Sequence, residues 1–372
     1  MIHVRLLLAL ASLAAMAALT PVTGEAADPH PEGPPPGWQA RPPFHVGRPD
    51  ATDAPTGLSP DVIKRAYNFS TSLTAGEGTT IAIVDAYDNP NAEADLGVFS
   101  NQYGLPACTT ANGCFKKVNQ SGKSSYPRPE QNWALEISLD IQWAHAIAPG
   151  AKILLVEASS NTFTNLMAAV DYAKKNADYV SMSWGGSEFS SESRYDSHFR
   201  QKGVSFFAAS GDAGTPAEYP SASPNVISVG GTRLVFDAGG NLVDETGWSG
   251  SGGGCSAYEN KNAAQTTGSV NCAGKRATPD VSLDADPASG VSIYDSYGFH
   301  SQQGWFKVGG TSVSTPIWAA RAATADVVVD AAYVYGDSIP YRDITSGASD
   351  GASCLPGYDL VTGRGSWVDP TP

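Results

Sequence analysis

Residues 80–84 read Thr-Ile-Ala-Ile-Val and residues 152–156 read Lys-Ile-Leu-Leu-Val. Each is a short apolar run of strand length, the pattern of a strand covered on both faces. Between them, Asn91 to Tyr103 and Gln131 to Ile147 carry helical patterning, and Pro149-Gly150 stops the second. Working outward, 164–176 reads as a helix, 179–183 and 204–208 as strands with a helical candidate between them, and 225–229 as a further strand. Short apolar strands alternating with helices predict an α/β fold: a parallel sheet with helices on both faces, three layers in a single domain. Residues 230–310 are rich in turns, with Gly239-Gly240 and Gly252-Gly253-Gly254, and read as hairpins and loops inserted in that domain. No internal repeat is visible.

The chain has 372 residues, 37 acidic against 23 basic, a net charge of -14 and only 16% charged residues. The acidic balance excludes a nucleic-acid partner or an anionic membrane surface, both of which need a basic footprint. A chain with few charges, most of them acidic, also tolerates acid, because protonation moves it toward neutrality. The start carries one arginine at position 5, an apolar run from Leu6 to Leu19 and small residues at 24–27. That is a secretory signal peptide over residues 1–26, too short for a span of roughly 20 apolar residues. Residues 27–56 hold the run Pro34-Pro35-Pro36 and read as a Pro-rich linker or short pro-segment that forms no helix or sheet hydrogen bonds. The ordered domain then runs over 57–372, beginning with Ser59 as a cap before Pro60 at the first helical position. The expected mature protein is secreted, extracellular or periplasmic if the host has an outer membrane, and off the membrane. Five cysteines suit that compartment. The reading pairs Cys108 with Cys114 and Cys255 with Cys272, leaving Cys354 as a buried thiol.

Three segments can carry chemistry. Gly309-Gly310-Thr311-Ser312 leads two glycines into a serine that opens a helix, where amides and the helix dipole face outward. Glu136 and Asp140 are four apart on the helix 131–147, about 40° apart around its axis, amid apolar residues. Such a pair can share a proton and so split its titrations, making one member a tuned base. Ser210-Gly211-Asp212-Ala213-Gly214 follows a strand, and Asp212, if protonated, can donate to an oxyanion. Taken alone, each has an ordinary alternative: a helix cap, a solvated acidic face and a turn aspartate.

Together with residues 81–88 and Ser183-Trp184-Gly185-Gly186, these segments resemble the sedolisin family, the serine-carboxyl peptidases of subtilisin-like fold. The resemblance spans Leu58 to about Ser366. It implies Ser312 as nucleophile, Glu136 as general base, Asp140 as its partner and Asp212 as the oxyanion acid. Ser183, Trp184 and Gly185 are implied to bind substrate backbone by strand addition. It also implies one structural calcium ion on Asp343, Ile344, Leu355, Gly357 and Asp359, with carboxylate and carbonyl oxygens as ligands. Leu355 departs from the family's usual glycine. The implied partners are protein or peptide substrates, cleaved in acid by a monomer.

Rival readings remain. A subtilisin-type neutral protease would use Asp85, a histidine and Ser312, but none of the six histidines precedes Gly-Thr. His145 lies about 180° around the helix from Glu136. Asp85 is therefore read as a structural or supporting acid. A glycosidase pair would flank a sugar rather than sit side by side on one turn. A calcium-stabilised, secreted, peptidase-like protein without activity is the remaining alternative.

Overall fold

The computed structural model describes residues 33–47 and 51–370. The expected signal peptide over 1–26 and part of the expected Pro-rich linker or pro-segment over 27–56 lie outside those residues. The elements that place the site are strands β1 (His45–Val46), β2 (Thr80–Ala86), β3 (Phe115–Asn119), β4 (Lys152–Ala158), β5 (Tyr179–Met182), β6 (Ser205–Ala209) and β7 (Ile227–Phe236), with β8 (Leu242–Gly247), β9 (Val281–Asp284), β10 (Val291–Phe299), β11 (Gln302–Gly309), β12 (Tyr341–Arg342) and β13 (Ser366–Trp367). The helices are α1 (Pro60–Tyr67), α2 (Ala92–Tyr103), α3 (Gln131–Ile147), α4 (Phe163–Ala173) and α5 (Thr311–Ala325).

The main sheet runs β12-β13-β9-β7-β6-β5-β2-β4-β3, with β8 antiparallel on β7. All neighbours from β13 to β3 are parallel; besides β8, β12 at the edge joins antiparallel. The two-residue period of a strand sorts its side chains to opposite faces. Ile81 and Ile83 point into a core shared with α1, α2, α3 and α5. Ala82, Val84 and Ala86 point the other way, onto α4. The sequence is thus apolar at every position of β2 except Thr80 and Asp85, because both faces are covered.

Helix α3 has the bounds expected from its pattern, and every residue from Trp133 to Ile147 is buried. A helix apolar all round belongs in the interior, and α3 packs against α2, α5, β2 and β10. The two expected disulfides, Cys108–Cys114 and Cys255–Cys272, are formed, and Cys354 is a buried free thiol.

Three expectations need correction. Ser59 is the N-cap of α1, but its side chain makes no capping hydrogen bond. Residues 230–310 are more than an insertion, since β9 sits inside the parallel sheet between β7 and β13. The Pro-rich tract does make sheet hydrogen bonds. Gln39 bridges to Thr162, Arg41 to Gly185 and Thr52 to Trp305, and β1 pairs antiparallel with β11. Prolines lack a donor, yet the residues between them keep theirs, and single bridges need no more.

Candidate active site

Gly310 enters α5 at φ 116°, and Ser312 is the second helical residue. A Cβ on Gly310 would stand 2.2 Å from the carbonyl oxygen of Pro43 and 2.7 Å from Asp212 Oδ2, so this corner admits only glycine. The Thr311 amide and hydroxyl donate to Asp212 Oδ1 at 2.8 and 2.9 Å. That clamp fixes the loop after β6, leaving Asp212 Oδ2 buried and without a hydrogen-bond partner. His45 Nε2 lies 3.4 Å from the same oxygen.

Glu136 and Asp140 project from α3 toward α5 and are fully buried. Asp140 Oδ1 accepts from the Ser183 hydroxyl at 2.8 Å. Both Glu136 oxygens, Asp140 Oδ2 and Ser312 Oγ are buried and lack a well-formed hydrogen bond. Ser312 and Glu136 nevertheless feel each other, since the hydroxyl favours the ionised carboxylate. Asp85, at the end of β2, is a third buried acid here, with both oxygens unpartnered.

Burial raises Glu136 well above the usual glutamate range, and the Asp85 charge adds to the rise while the Ser312 hydroxyl opposes it. Burial, Asp85 and Glu136 push Asp140 up in turn, against the Ser183 hydroxyl. Asp212 is raised by burial, in spite of the donors from Thr311. The closed site thus holds both members of the carboxylate pair above the ordinary carboxylic-acid range. The chain's own N-terminal segment, residues 39–47, borders this site.

That segment lies across the site. The Arg41 amide donates to Gly185 O at 2.9 Å, and the Gly185 amide returns a bond to Arg41 O at 3.2 Å. Two residues on, Pro43 O accepts from the Ser312 amide at 3.2 Å. The Phe44 amide turns back to Pro42 O at 3.2 Å, closing a tight bend at Pro43. β1 then continues along β11. Beside it is a cleft of about 640 Å³ lined by Gly185, Gly186, Asp212 and Glu218, among others. Burial lifts Glu218 to about 6, and the Arg41 guanidinium opposes that rise.

The structure thus brings Ser312, Glu136, Asp140 and Asp212 together, with Gly185 at the strand edge. Ser183 faces Asp140 instead of the cleft. Trp184 is buried, its indole bonded to Val84 O at 2.8 Å. Sequence reading missed Thr311, Glu218 and the 39–47 segment. Thr311 was legible in the motif itself; a proline tract carries no signal for where it docks. Among the described residues no imidazole hydrogen-bonds Ser312, and His145 is turned to Pro106 O at 2.8 Å.

Asp343 and Asp359 meet at one loop. Asp343 Oδ2 accepts from the Gly357 amide at 2.9 Å, and Asp359 Oδ2 from the Leu355 amide at 3.1 Å. Two carboxylates brought to one loop are oxygen donors of the kind a hard cation takes. Another cluster of metal-competent side chains, Cys108, Cys114 and His145, is closed to metal because its sulfurs are bonded to each other.

A profile of the subtilase family matches residues 118–329. The chain is 30% identical to kumamolisin of Bacillus sp. (strain MN-32) over 362 residues, covering 84% of this chain and 62% of that protein. It is 29% identical to sedolisin of Pseudomonas sp. (strain 101), covering 83% and 60%. The chain therefore spans about three fifths of the length of these curated relatives. The solved structure of Pseudomonas sedolisin, a serine-carboxyl proteinase complexed with two molecules of pseudo-iodotyrostatin, superposes with a TM-score of 0.71 at 27% identity, covering 84% of this chain and 96% of that one.

Proposed function

The chain belongs to the subtilase family and, within it, to the sedolisin family, and from that premise we propose that it hydrolyses peptide bonds in acid with Ser312 as nucleophile. Glu136 takes the hydroxyl proton as Ser312 attacks the scissile carbonyl, and Asp140 holds Glu136 and shares its proton. Protonated Asp212 and the Ser312 amide stabilise the oxyanion. Glu136 then protonates the leaving amine, and water repeats the sequence to free the acyl group. The observation that carries this reading is a peptide carbonyl held on the Ser312 amide while the strand edge at Gly185 holds the chain two residues upstream. A carboxylate base serves in acid, where an imidazole would already carry a proton.

The substrates are extended or denatured polypeptides, bound by strand addition to Gly185. The protein is secreted and acts as a monomer. Asp343 and Asp359, with the carbonyls of Ile344, Leu355 and Gly357, hold one calcium ion. That ion ties the C-terminal loops together and takes no part in the chemistry.

The test is casein or hemoglobin digestion across a pH series, run with the wild type and the Ser312→Ala variant. Activity is expected to peak in acid and to vanish in the variant. A covered Ser312 also favours a second reading, a peptidase-like binding protein. No digestion at any pH, after the N-terminal segment has been removed, selects that reading.

A further inference from the structure

Trp38 sits five residues before Pro43, and it is held more firmly than a passing residue of a proline-rich tract needs to be. Its ring is only 9% exposed. It meets Phe163 edge-on at 5.3 Å between ring centres and Phe189 at 6.5 Å. Its indole N–H donates to Ser187 O at 2.8 Å. A Cβ on Gly186 would come within 2.7 Å of the ring, so the recess exists because that residue is glycine. The floor does not depend on Trp38. Phe163 packs on Tyr195 at 4.7 Å and on Phe189 at 5.4 Å, and Phe189 packs on Tyr219 at 5.7 Å.

The recess is also in register with the chemistry. From Pro43 at Ser312, the chain runs back through Arg41 paired with Gly185, then Ala40 paired with Asn161. Those main-chain bonds fix the spacing, so any chain that adds to the same edge brings its sixth residue, counted back from the reacting carbonyl, to this recess.

We infer that the Trp38 seat is a distal subsite of the substrate cleft, taking an aromatic side chain five residues before the scissile residue of a polypeptide, and that Trp38 fills it in cis to hold the 33–47 segment over Ser312. The inference rests on the proposed reading of Ser312 as the reacting residue. The seat offers what an indole needs: edge-on aromatic walls and a carbonyl for its N–H. Tryptophan therefore fits best and phenylalanine next, while aliphatic residues lose both features.

The test is a binding measurement that needs no turnover. Two labelled peptides, Trp-Gln-Ala-Arg-Pro-Pro-Phe-His-Val-Gly and the same sequence beginning with Ala, are titrated into the full-length Ser312→Ala protein in acid and followed by fluorescence anisotropy. The tethered segment weakens both peptides by the same factor, so their ratio reports the seat alone. The Trp peptide is expected to bind at least tenfold more tightly. Adding Trp38→Ala to the Ser312→Ala protein is expected to tighten both peptides by tenfold or more. Trp38→Phe, the milder change if Trp38→Ala fails to fold, is expected to tighten them less. Gly186→Val should erase the difference between the peptides while leaving the Ala peptide bound. Equal affinity of the two peptides overturns the proposal, as does failure of either to bind in any variant. Discrimination in binding alongside no digestion at any pH, after the N-terminal segment has been removed from the wild type, would instead overturn the peptidase reading and leave the seat standing.

Discussion

The amide of Ser312 donates to the carbonyl oxygen of Pro43 at 3.2 Å, so the chain's own backbone lies against the proposed nucleophile. Gly310 makes that approach possible. Its φ of 116° and the 2.2 Å that a Cβ would leave to Pro43 O allow no side chain. Gly310→Ala is expected to push the incoming carbonyl away from both Asp212 and the Ser312 amide. Losing one oxyanion donor costs about 10²–10³ in kcat, and casein digestion should fall by that much or more. A rate within threefold of wild type would mean that the corner has room to spare.

Two neighbours of the carboxylate pair should move the acidic limb of the pH–rate profile in opposite directions. The Ser183 hydroxyl stabilises the ionised form of Asp140. Removing it in Ser183→Ala makes the pair's first ionisation harder, and the acidic limb should shift up by about one unit. The Asp85 charge has the reverse influence on both Glu136 and Asp140, so Asp85→Asn should shift the limb down. Shifts of the same sign in both variants would show that the limb reports packing and not these charges.

Stability should be greatest in acid. Burial raises Glu157 to about 9 and Glu259 to about 8, and also raises Asp85, Asp212 and Asp284. An acid with a raised folded pKa is protonated more readily in the native state than in the unfolded one. Its contribution is intact below the unfolded value of about 4 and is lost as pH rises toward the folded value. The melting temperature should therefore fall between about pH 4 and pH 8–9. Glu157→Gln resembles the protonated acid; it should leave the melting temperature near wild type at pH 4 and raise it at pH 8. A wild-type melting temperature that climbs over this range would contradict the assigned direction.

How far the sequence could be read depended on how local each signal was. α3 was legible to its ends because seventeen apolar-rich residues stop at Pro149-Gly150. β2 was legible from its apolar run, though it extends two residues further through Asp85 and Ala86. β9 was not, because Val-Ser-Leu-Asp is four residues long and flanked by turns, and only the neighbouring strands make it part of the sheet. Each site residue stood in its own motif, but the meeting of positions 136, 212 and 312 is a product of topology. The raised acids were illegible for the same reason, since their burial comes from segments distant in the chain, as with Glu157 beside Lys117 and Asp88.

The calcium reading can be tested without activity. Asp359 accepts from the amides of Leu355, Val361 and Thr362, so replacing it would disturb the loop even with no ion present. Asp343 accepts from the Gly357 amide across the same loop, which makes Asp343→Asn the cleaner probe. An ion held at a hundredfold its Kd stabilises by about 2.7 kcal/mol, enough to lower the melting temperature by several degrees on chelation. Chelation is expected to lower it in the wild type and to leave Asp343→Asn unchanged, at a value close to that of the chelated wild type. If added calcium fails to raise the melting temperature of metal-stripped wild type, the two aspartates serve only to fasten the 355–357 turn.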